Sequence, residues 1–153
     1  TMADAGFRLT AHAGEFGGAE SVRAALDDLK VERIGHGVRA AEDPELLARL
    51  AAEGQVLETC PGSNVSLGVY SDLASHSIGA LVAAGVRCTV STDDPPFFHT
   101  DMTAEYAGLE ATFGMGEAQF ACFARTAVHA AFCEPEVKAS LTAHLDKSGV
   151  PGA

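Results

Sequence analysis

The feature of the sequence that most constrains the fold is a regular alternation of short apolar segments and amphipathic segments. The short segments have the length and composition of β-strands, at residues 7–13, 31–37, 55–60 and 86–92. Helical segments separate them, and no predicted strand leads directly into the next as a hairpin would require. This alternation predicts a parallel sheet whose strands are joined by right-handed helical crossovers.

The predicted helices carry start and stop signals. The second helix begins with Asp43 as the N-cap and Pro44 in the first helical position, and Gly54 ends it. A loop is predicted after the third strand, at residues 61–64. Further helices are predicted at residues 19–29, 76–84, 102–113, 117–132 and 135–147. We interpret the 153 residues as one α/β domain, residues 1–153, with extra helices at its C-terminal end.

Polar residues with catalytic potential follow the predicted strands. His12, His36 and Cys60 are each 24 residues apart, which is the length of one β/α unit, and the fourth strand leads into Asp93 and Asp94. The carboxyl ends of parallel strands meet at one edge of a sheet, where α/β folds hold their active sites. We therefore expect these side chains to lie close together.

The first of these positions lies in the segment Thr10-Ala11-His12-Ala13-Gly14-Glu15. On a continuous strand His12 and Glu15 would face opposite sides of the sheet, because side chains alternate. Gly14 can adopt backbone angles that return Glu15 over the strand end. Taken alone, the segment fits a loop with two solvated polar residues equally well.

The residue types at this edge favour metal-assisted chemistry. His12, His36 and Asp93 offer nitrogen and oxygen ligands from three strands, which suits Zn²⁺ or a similar divalent ion. Such a metal lowers the pKa of bound water to about 7, and Glu15 or Asp94 could move the protons. Simpler interpretations exist for each residue: His36 as a satisfied core histidine and Asp93-Asp94 as part of a turn.

Composition excludes other classes of function. The net charge of −11 would repel a phosphate backbone, so no nucleic-acid partner is expected. No apolar run approaches the length of a membrane span, and no leader pattern begins the chain, so no membrane association is expected. The four cysteines form no C-x-x-C pair, which favours reduced thiols in a cytoplasmic protein. Residues 1–6 have the pattern of a helix end, so the chain is expected to be a fragment of a longer one.

Four motifs occur in order along the chain: His12-Ala13-Gly14-Glu15, Arg33-Ile34-Gly35-His36-Gly37, Cys60-Pro61-Gly62-Ser63-Asn64 and Ser91-Thr92-Asp93-Asp94-Pro95. Together they resemble the adenosine/adenine deaminase family of metal-dependent hydrolases. The resemblance implies half of a TIM-type (β/α)₈ barrel, with strands five to eight and the closing helices. An isolated half-barrel would self-associate or require the missing N-terminal half.

The resemblance also assigns roles. His12 and Asp93 would be ligands of one zinc ion, and Asp93 would also hold the attacking water. Glu15 would donate a proton to a purine ring nitrogen. His36 would be the base or electrostatic partner that orients the water, which replaces its first assignment as a ligand.

The substrate implied by the resemblance is a small aminopurine. Asp94 would bind a second ring nitrogen, and Gly14 would also bind the substrate. The motifs around His36 and after Cys60 slightly favour adenosine, which would give inosine and ammonia, with adenine as the alternative.

The family's remaining zinc ligands form a His-x-His pair, which this sequence does not contain. A non-catalytic half-barrel relic or interaction module therefore stays an alternative, as does an amidohydrolase acting on another ring. His76, His129 and His144 are expected at surface or packing positions, whereas His99 could lie at the pocket rim. Cys60 is expected to pack rather than react, and Phe97 and Phe98 either pack or flank a purine.

Overall fold

The computed structural model describes residues 2 and 4–148, and within them the chain forms one parallel sheet of four strands. The strands are β1 (Thr10–Ala13), β2 (Arg33–His36), β3 (Val56–Thr59) and β4 (Arg87–Val90). Their order across the sheet is the order of the sequence, and every neighbouring pair is parallel. The predicted α/β class with a parallel sheet is confirmed. Each strand is shorter than predicted, because ladder pairing covers only about four residues.

Helices connect the strands and continue beyond the last one. They are α1 (Ala19–Asp27), α2 (Pro44–Glu53), α3 (Pro61–Ser66), α4 (Ile78–Ala83), α5 (Pro95–Phe98), α6 (Met102–Phe113), α7 (Glu117–Ala130) and α8 (Pro135–Lys147). Two 3₁₀ turns, Val38–Glu42 and Leu73–Ser75, lie before α2 and α4.

The predicted signals of α2 are confirmed. The Asp43 carboxylate accepts hydrogen bonds from the amides of Glu45 and Leu46, and Pro44 is the first helical residue. Gly54 ends the helix in the left-handed conformation, at φ +66°.

The hydrophobic core lies between the sheet and the helices. Ile34 and Leu57 are fully buried at paired positions of β2 and β3, and Cys88 continues the row on β4. Full burial of a side chain such as Leu57 contributes about 1.5–3 kcal/mol. The row fixes the register, since a shift by one residue would turn it away from the helices.

The opposite face of the sheet is polar and partly open. Thr10 and His12 of β1 are exposed there, and Glu58 of β3 accepts a hydrogen bond from Thr10 and pairs with Arg33. The Arg33 guanidinium lies 3.6 Å from the centre of the Phe132 ring, in the segment after α7. This face carries His12, so the first candidate site residue lies away from the packed core.

Some sequence-based boundaries are wrong. Residues 61–64, predicted as a loop, are the first turn of α3. Helix α4 begins at Ile78 rather than at residue 76, and α7 ends at Ala130 rather than at residue 132. The helix end predicted over residues 1–6 includes Thr1 and Ala3, which lie outside the described residues.

The cysteines and the lengths of the helices bear on the predictions from composition. All four cysteines, which fall within residues 4–148, are free thiols. In the described part of the chain, no helix combines the length and apolar character needed to span a membrane.

Candidate active site

The carboxyl ends of the four strands bring together most of the predicted site residues, beginning with Glu15 and His36. Gly14 has φ +66°, and a Cβ atom there would lie 2.5 Å from the Val22 side chain, so the position requires glycine. The turn at Gly14 directs Glu15 across to β2, where its Oε2 lies 3.6 Å from His36 Nε2. The Glu15 side chain is only 14% exposed.

His36 is the central group of the cluster. It ends β2 with φ +60°, a conformation that non-glycine residues seldom adopt and that often marks functional sites. Its ring is buried, and Nε2 lies 3.9 Å from Oδ2 of Asp93 as well as near Glu15. Burial lowers the pKa of His36, while the charges of Glu15 and Asp93 oppose that effect.

His12 is exposed beside His36 on the polar face of the sheet. The two ring centres are 5.3 Å apart. Gly35 is the strand neighbour of His12, and a Cβ atom at Gly35 would lie 3.1 Å from the His12 ring. The missing side chain therefore leaves the room that the imidazole occupies.

Asp93 is held in place by a neighbouring helix. Its φ is +58°, and its Oδ2 accepts a hydrogen bond of 2.6 Å from the hydroxyl of Ser63, which is fully buried in α3. The adjacent Asp94 is exposed at the start of α5, where its carbonyl accepts hydrogen bonds from the amides of Phe97 and Phe98.

Helix α3 is itself fixed by a buried acid. The carboxylate of Glu105, from α6, accepts a 3.0 Å hydrogen bond from the Gly62 amide and a 2.8 Å bond from the Thr100 hydroxyl. A carboxylate at the first turn of a helix satisfies free amides and is favoured by the helix dipole. The same turn then presents Ser63 to Asp93 and Asn64 to His36.

Asn64 and His76 extend the cluster away from the sheet edge. Asn64 Nδ2 lies 3.2 Å from His36 Nδ1, and Asn64 Oδ1 lies 3.2 Å from His76 Nε2. The Ile78 amide donates a 3.0 Å hydrogen bond to His76 Nδ1. Asn64 and His76 are buried, and burial lowers the pKa of His76 to about 4.

Sequence reasoning missed Ser63, Asn64 and Glu105 as parts of the site. Ser63 and Asn64 lie in the motif that begins at Cys60, but the Pro and Gly of that motif favour a loop in the sequence. Glu105 gave no signal, since nothing in α6 marks a residue whose partner lies 43 positions away. His76 was predicted to pack, and its burial agrees with that, but its link to His36 was not anticipated.

The remaining candidates differ in their surroundings. The Cys60 thiol is buried, and burial followed by the charge of Asp93 raises its pKa to about 12, which agrees with the expectation that it packs rather than reacts. Phe97 is 76% exposed and so is not a core residue, and His99 is exposed beyond it. Both backbone groups of Gly14 are engaged within the chain, its amide by Ser21 Oγ and its carbonyl by the Arg39 amide.

The donor set at this edge is compatible with a divalent metal. Within the described residues, one group of three His, Cys, Asp or Glu ligand atoms lies within 4.8 Å of one another, formed by His36, Cys60 and Asp93. His12 adds an accessible imidazole beside it, and the bond from Ser63 orients the Asp93 carboxylate. Imidazole nitrogen and carboxylate oxygen are ordinary zinc ligands, and hydrogen bonds from neighbouring groups are what such ligands need.

The parallel sheet and its flanking helices are similar in fold to solved amidohydrolases. A crystal structure of an amidohydrolase from Burkholderia ambifaria with bound Zn matches it at a TM-score of 0.84 and 30% identity, over 95% of this chain and 41% of that one. The family model for adenosine deaminase matches residues 1–148. The chain belongs to the adenosine deaminase family.

Two further relatives are described as adenine deaminases. The protein of Rhizobium johnstonii is 54% identical over 142 residues, which are 93% of this chain and 44% of that protein. The crystal structure of the Arthrobacter aurescens protein superposes with a TM-score of 0.89 and 36% identity, over 95% of this chain and 44% of that one. The chain thus spans less than half the length of the relatives it matches.

Proposed function

We propose that the protein containing this chain is a purine aminohydrolase whose substrate is adenine. The observation that carries the proposal is the cluster of Glu15, His36 and Asp93, with His36 Nε2 within 4 Å of both carboxylates. The 54% identity to an adenine deaminase supports adenine as the base. This substrate replaces the adenosine suggested by the sequence motifs, because the relatives above are described as adenine deaminases.

We propose zinc as the cofactor, with His12 and Asp93 as the ligands from this chain. Zinc when bound would supply a water that ionises near neutral pH. The 2.6 Å bond from the Ser63 hydroxyl leaves Oδ1 of Asp93 free for a second partner and fixes the orientation of the carboxylate. The zinc of the Burkholderia ambifaria structure supports this choice of metal.

The side chains of this chain have distinct proposed roles toward the purine. Glu15 holds and delivers the proton for a ring nitrogen, since it is the least exposed carboxylate that faces the cluster. Asp94 and Gly14 bound the place of the ring. His36 orients the attacking water.

We further propose that β1–β4 are strands five to eight of the barrel. Among the described residues β1 and β4 each have a strand neighbour on one side only, as the ends of an open half-barrel would. The remaining zinc ligands and four more strands would come from a preceding segment of the same protein. The coverage of 44% of the Rhizobium johnstonii protein supports a second segment of similar size.

The experiment is a comparison of kcat/KM for adenine and adenosine on the protein expressed from the complete reading frame that contains this chain, with ammonia release as the readout. We expect turnover of adenine and a much lower kcat/KM for adenosine. A higher kcat/KM for adenosine would overturn the substrate. Loss of ammonia from neither compound, at full zinc occupancy, would overturn the function and favour a non-catalytic half-barrel or a hydrolase of another ring.

A further inference from the structure

His36 lies at one end of a buried series of hydrogen bonds. The series begins at a group that can only donate, so the direction of its first bond is fixed. That group is the backbone amide of Ile78, which is only a donor. It donates to His76 Nδ1 at 3.0 Å. His76 Nδ1 therefore carries no proton, and a neutral His76 has its proton on Nε2.

The polarity of every later bond follows from this first one. His76 Nε2–H donates to an Asn64 atom at 3.2 Å, which must then be the carbonyl oxygen Oδ1. The amide nitrogen of Asn64 consequently faces His36, where its Nδ2–H donates to Nδ1 at 3.2 Å. His36 thus has a lone pair on Nδ1 and its proton on Nε2.

The other side of the His36 ring is consistent with this assignment. Nε2 lies 3.6 Å from Glu15 Oε2 and 3.9 Å from Asp93 Oδ2. A lone pair on Nε2 would face the Asp93 carboxylate, whereas an N–H there is attracted to it. His36, Asn64 and His76 are at most 3% exposed, so water does not readily replace these partners.

We propose that Asn64 and His76 are positioning residues that hold His36 in its Nε2–H tautomer, so that His36 donates a hydrogen bond to the attacking water oxygen and does not act as the base. The proposal rests on the proposed function for the identity of the reaction, and on these three side chains and the Ile78 amide for the direction of the bonds.

The tautomer decides where the proton of the water goes. A neutral ring with Nε2–H and an engaged Nδ1 has no free lone pair at the site. When the water oxygen bonds to the amino-bearing carbon, the C=N electron pair moves to the ring nitrogen, which takes the proton held by Glu15. The O–H bond that breaks then releases its proton to the Asp93 carboxylate, which also faces the ring of His36. A donor aimed at developing charge on the oxygen assists that step, and loss of one such donor costs about 10²–10³-fold in kcat.

The direct test is the nitrogen spectrum of His36 in the complete protein labelled with ¹⁵N-histidine, with the signals assigned by their loss in His36→Asn. We expect a pyridine-like Nδ1 and a pyrrole-like Nε2 in the unmodified protein. The reverse pattern, or two protonated nitrogens near neutral pH, would overturn the inference without any variant being made.

Asn64→Asp is the sharpest substitution, because it keeps the shape of the side chain and replaces the donor toward His36 with an acceptor. His76 can still donate to it. We expect His36 Nδ1 to become protonated and kcat to fall by about 10²–10³-fold, with KM changed only a few fold. Protonation of Nδ1 with kcat near the unmodified value would overturn the donor role.

A second pair of variants keeps the test open if Asn64→Asp does not fold. His76→Gln retains a nitrogen donor for Asn64 Oδ1, whereas His76→Leu removes it and frees the amide to turn. We expect His76→Gln to retain at least tenfold more kcat than His76→Leu, with the unmodified pattern of His36 nitrogens. Equal kcat and equal spectra for the two would contradict a positioning role.

The outcomes separate this inference from the function it rests on. An unmodified protein that releases ammonia from adenine but shows Nδ1–H on His36 would refute the hydrogen-bond chain alone. An unmodified protein with the expected tautomer and no release of ammonia from either purine would refute the proposed function, and with it the donor role toward water.

Discussion

The contact between Ser63 and Asp93 leads to a quantitative prediction for Ser63→Ala. The substitution removes a hydroxyl donor at 2.6 Å from the carboxylate that we propose as a zinc ligand. Ser63 is fully buried in α3, and its hydroxyl is the one side-chain donor within hydrogen-bond distance of Asp93 among the described residues. The Asp93 carboxylate then loses its fixed orientation while keeping its charge.

The magnitude follows from the chemistry of the bond. A hydrogen bond to a charged acceptor contributes about 1.5–3 kcal/mol, but the Asp93 side chain is 30% exposed and water can partly replace the donor. We therefore expect the free energy of unfolding to fall by only about 1 kcal/mol. Removal of a group that orients a metal ligand lowers metal affinity by about 10–100-fold, and we expect a loss in that range for zinc.

The assay is a zinc competition titration of the complete protein against a chromophoric chelator, with urea unfolding in parallel. Ser66→Ala is a matched control, because Ser66 lies on the same helix but is exposed. Zinc affinities of the two variants that agree within twofold, with both proteins folded, would refute the role given to Ser63 and weaken Asp93 as a ligand.

Three further predictions concern catalysis, pH and assembly. Glu15→Gln should lower kcat by about 10²–10⁴-fold with a small change in KM, because proton transfer matters mainly in the transition state; near-normal kcat at unchanged zinc content would contradict this. The pKa of His76 is lowered from 6.5 to about 4 in the folded state, so its stabilising effect is complete above pH 6.5 and is lost as the pH falls toward 4. Between pH 6.5 and 4, the free energy of unfolding should therefore drop by up to about 3 kcal/mol more in the unmodified chain than in His76→Gln. Urea titrations that show the same pH dependence for both proteins would argue against this prediction. The isolated 153-residue chain should form dimers or larger species in light scattering, because β1 and β4 are open sheet edges among residues 4–148. A uniform monomer would count against the half-barrel.

The parallel sheet could be predicted because strand and helix periods alternate without interruption over most of the chain. Its order and register follow from the apolar rows that must face the helices, such as Ile34 beside Leu57. The return of Glu15 over the strand end was also predictable, since Gly14 lets the chain turn between His12 and Glu15.

The supports of the site could not be predicted in the same way. Helix α3 contains Pro and Gly, which locally favour a loop, and its first turn is held by Glu105 from a distant helix. Asn64 contacts His76, which lies just before α4, so the contact depends on where that helix begins. The packing of His76 follows no periodic sequence pattern. Such contacts between distant segments carry no local pattern.

The bond between Gly62 and Glu105 has a consequence for the order in which the protein matures. The two residues are 43 positions apart, so the turn that presents Ser63 and Asn64 lacks this anchor until α6 has been synthesised. Chains emerge from the ribosome N-terminal end first, and distant contacts form late because loop closure opposes them. The sheet can therefore assemble before this contact exists. A nascent or C-terminally truncated chain that stops before residue 105 would contain all four strands but would lack the bond that fixes the first turn of α3 at their edge.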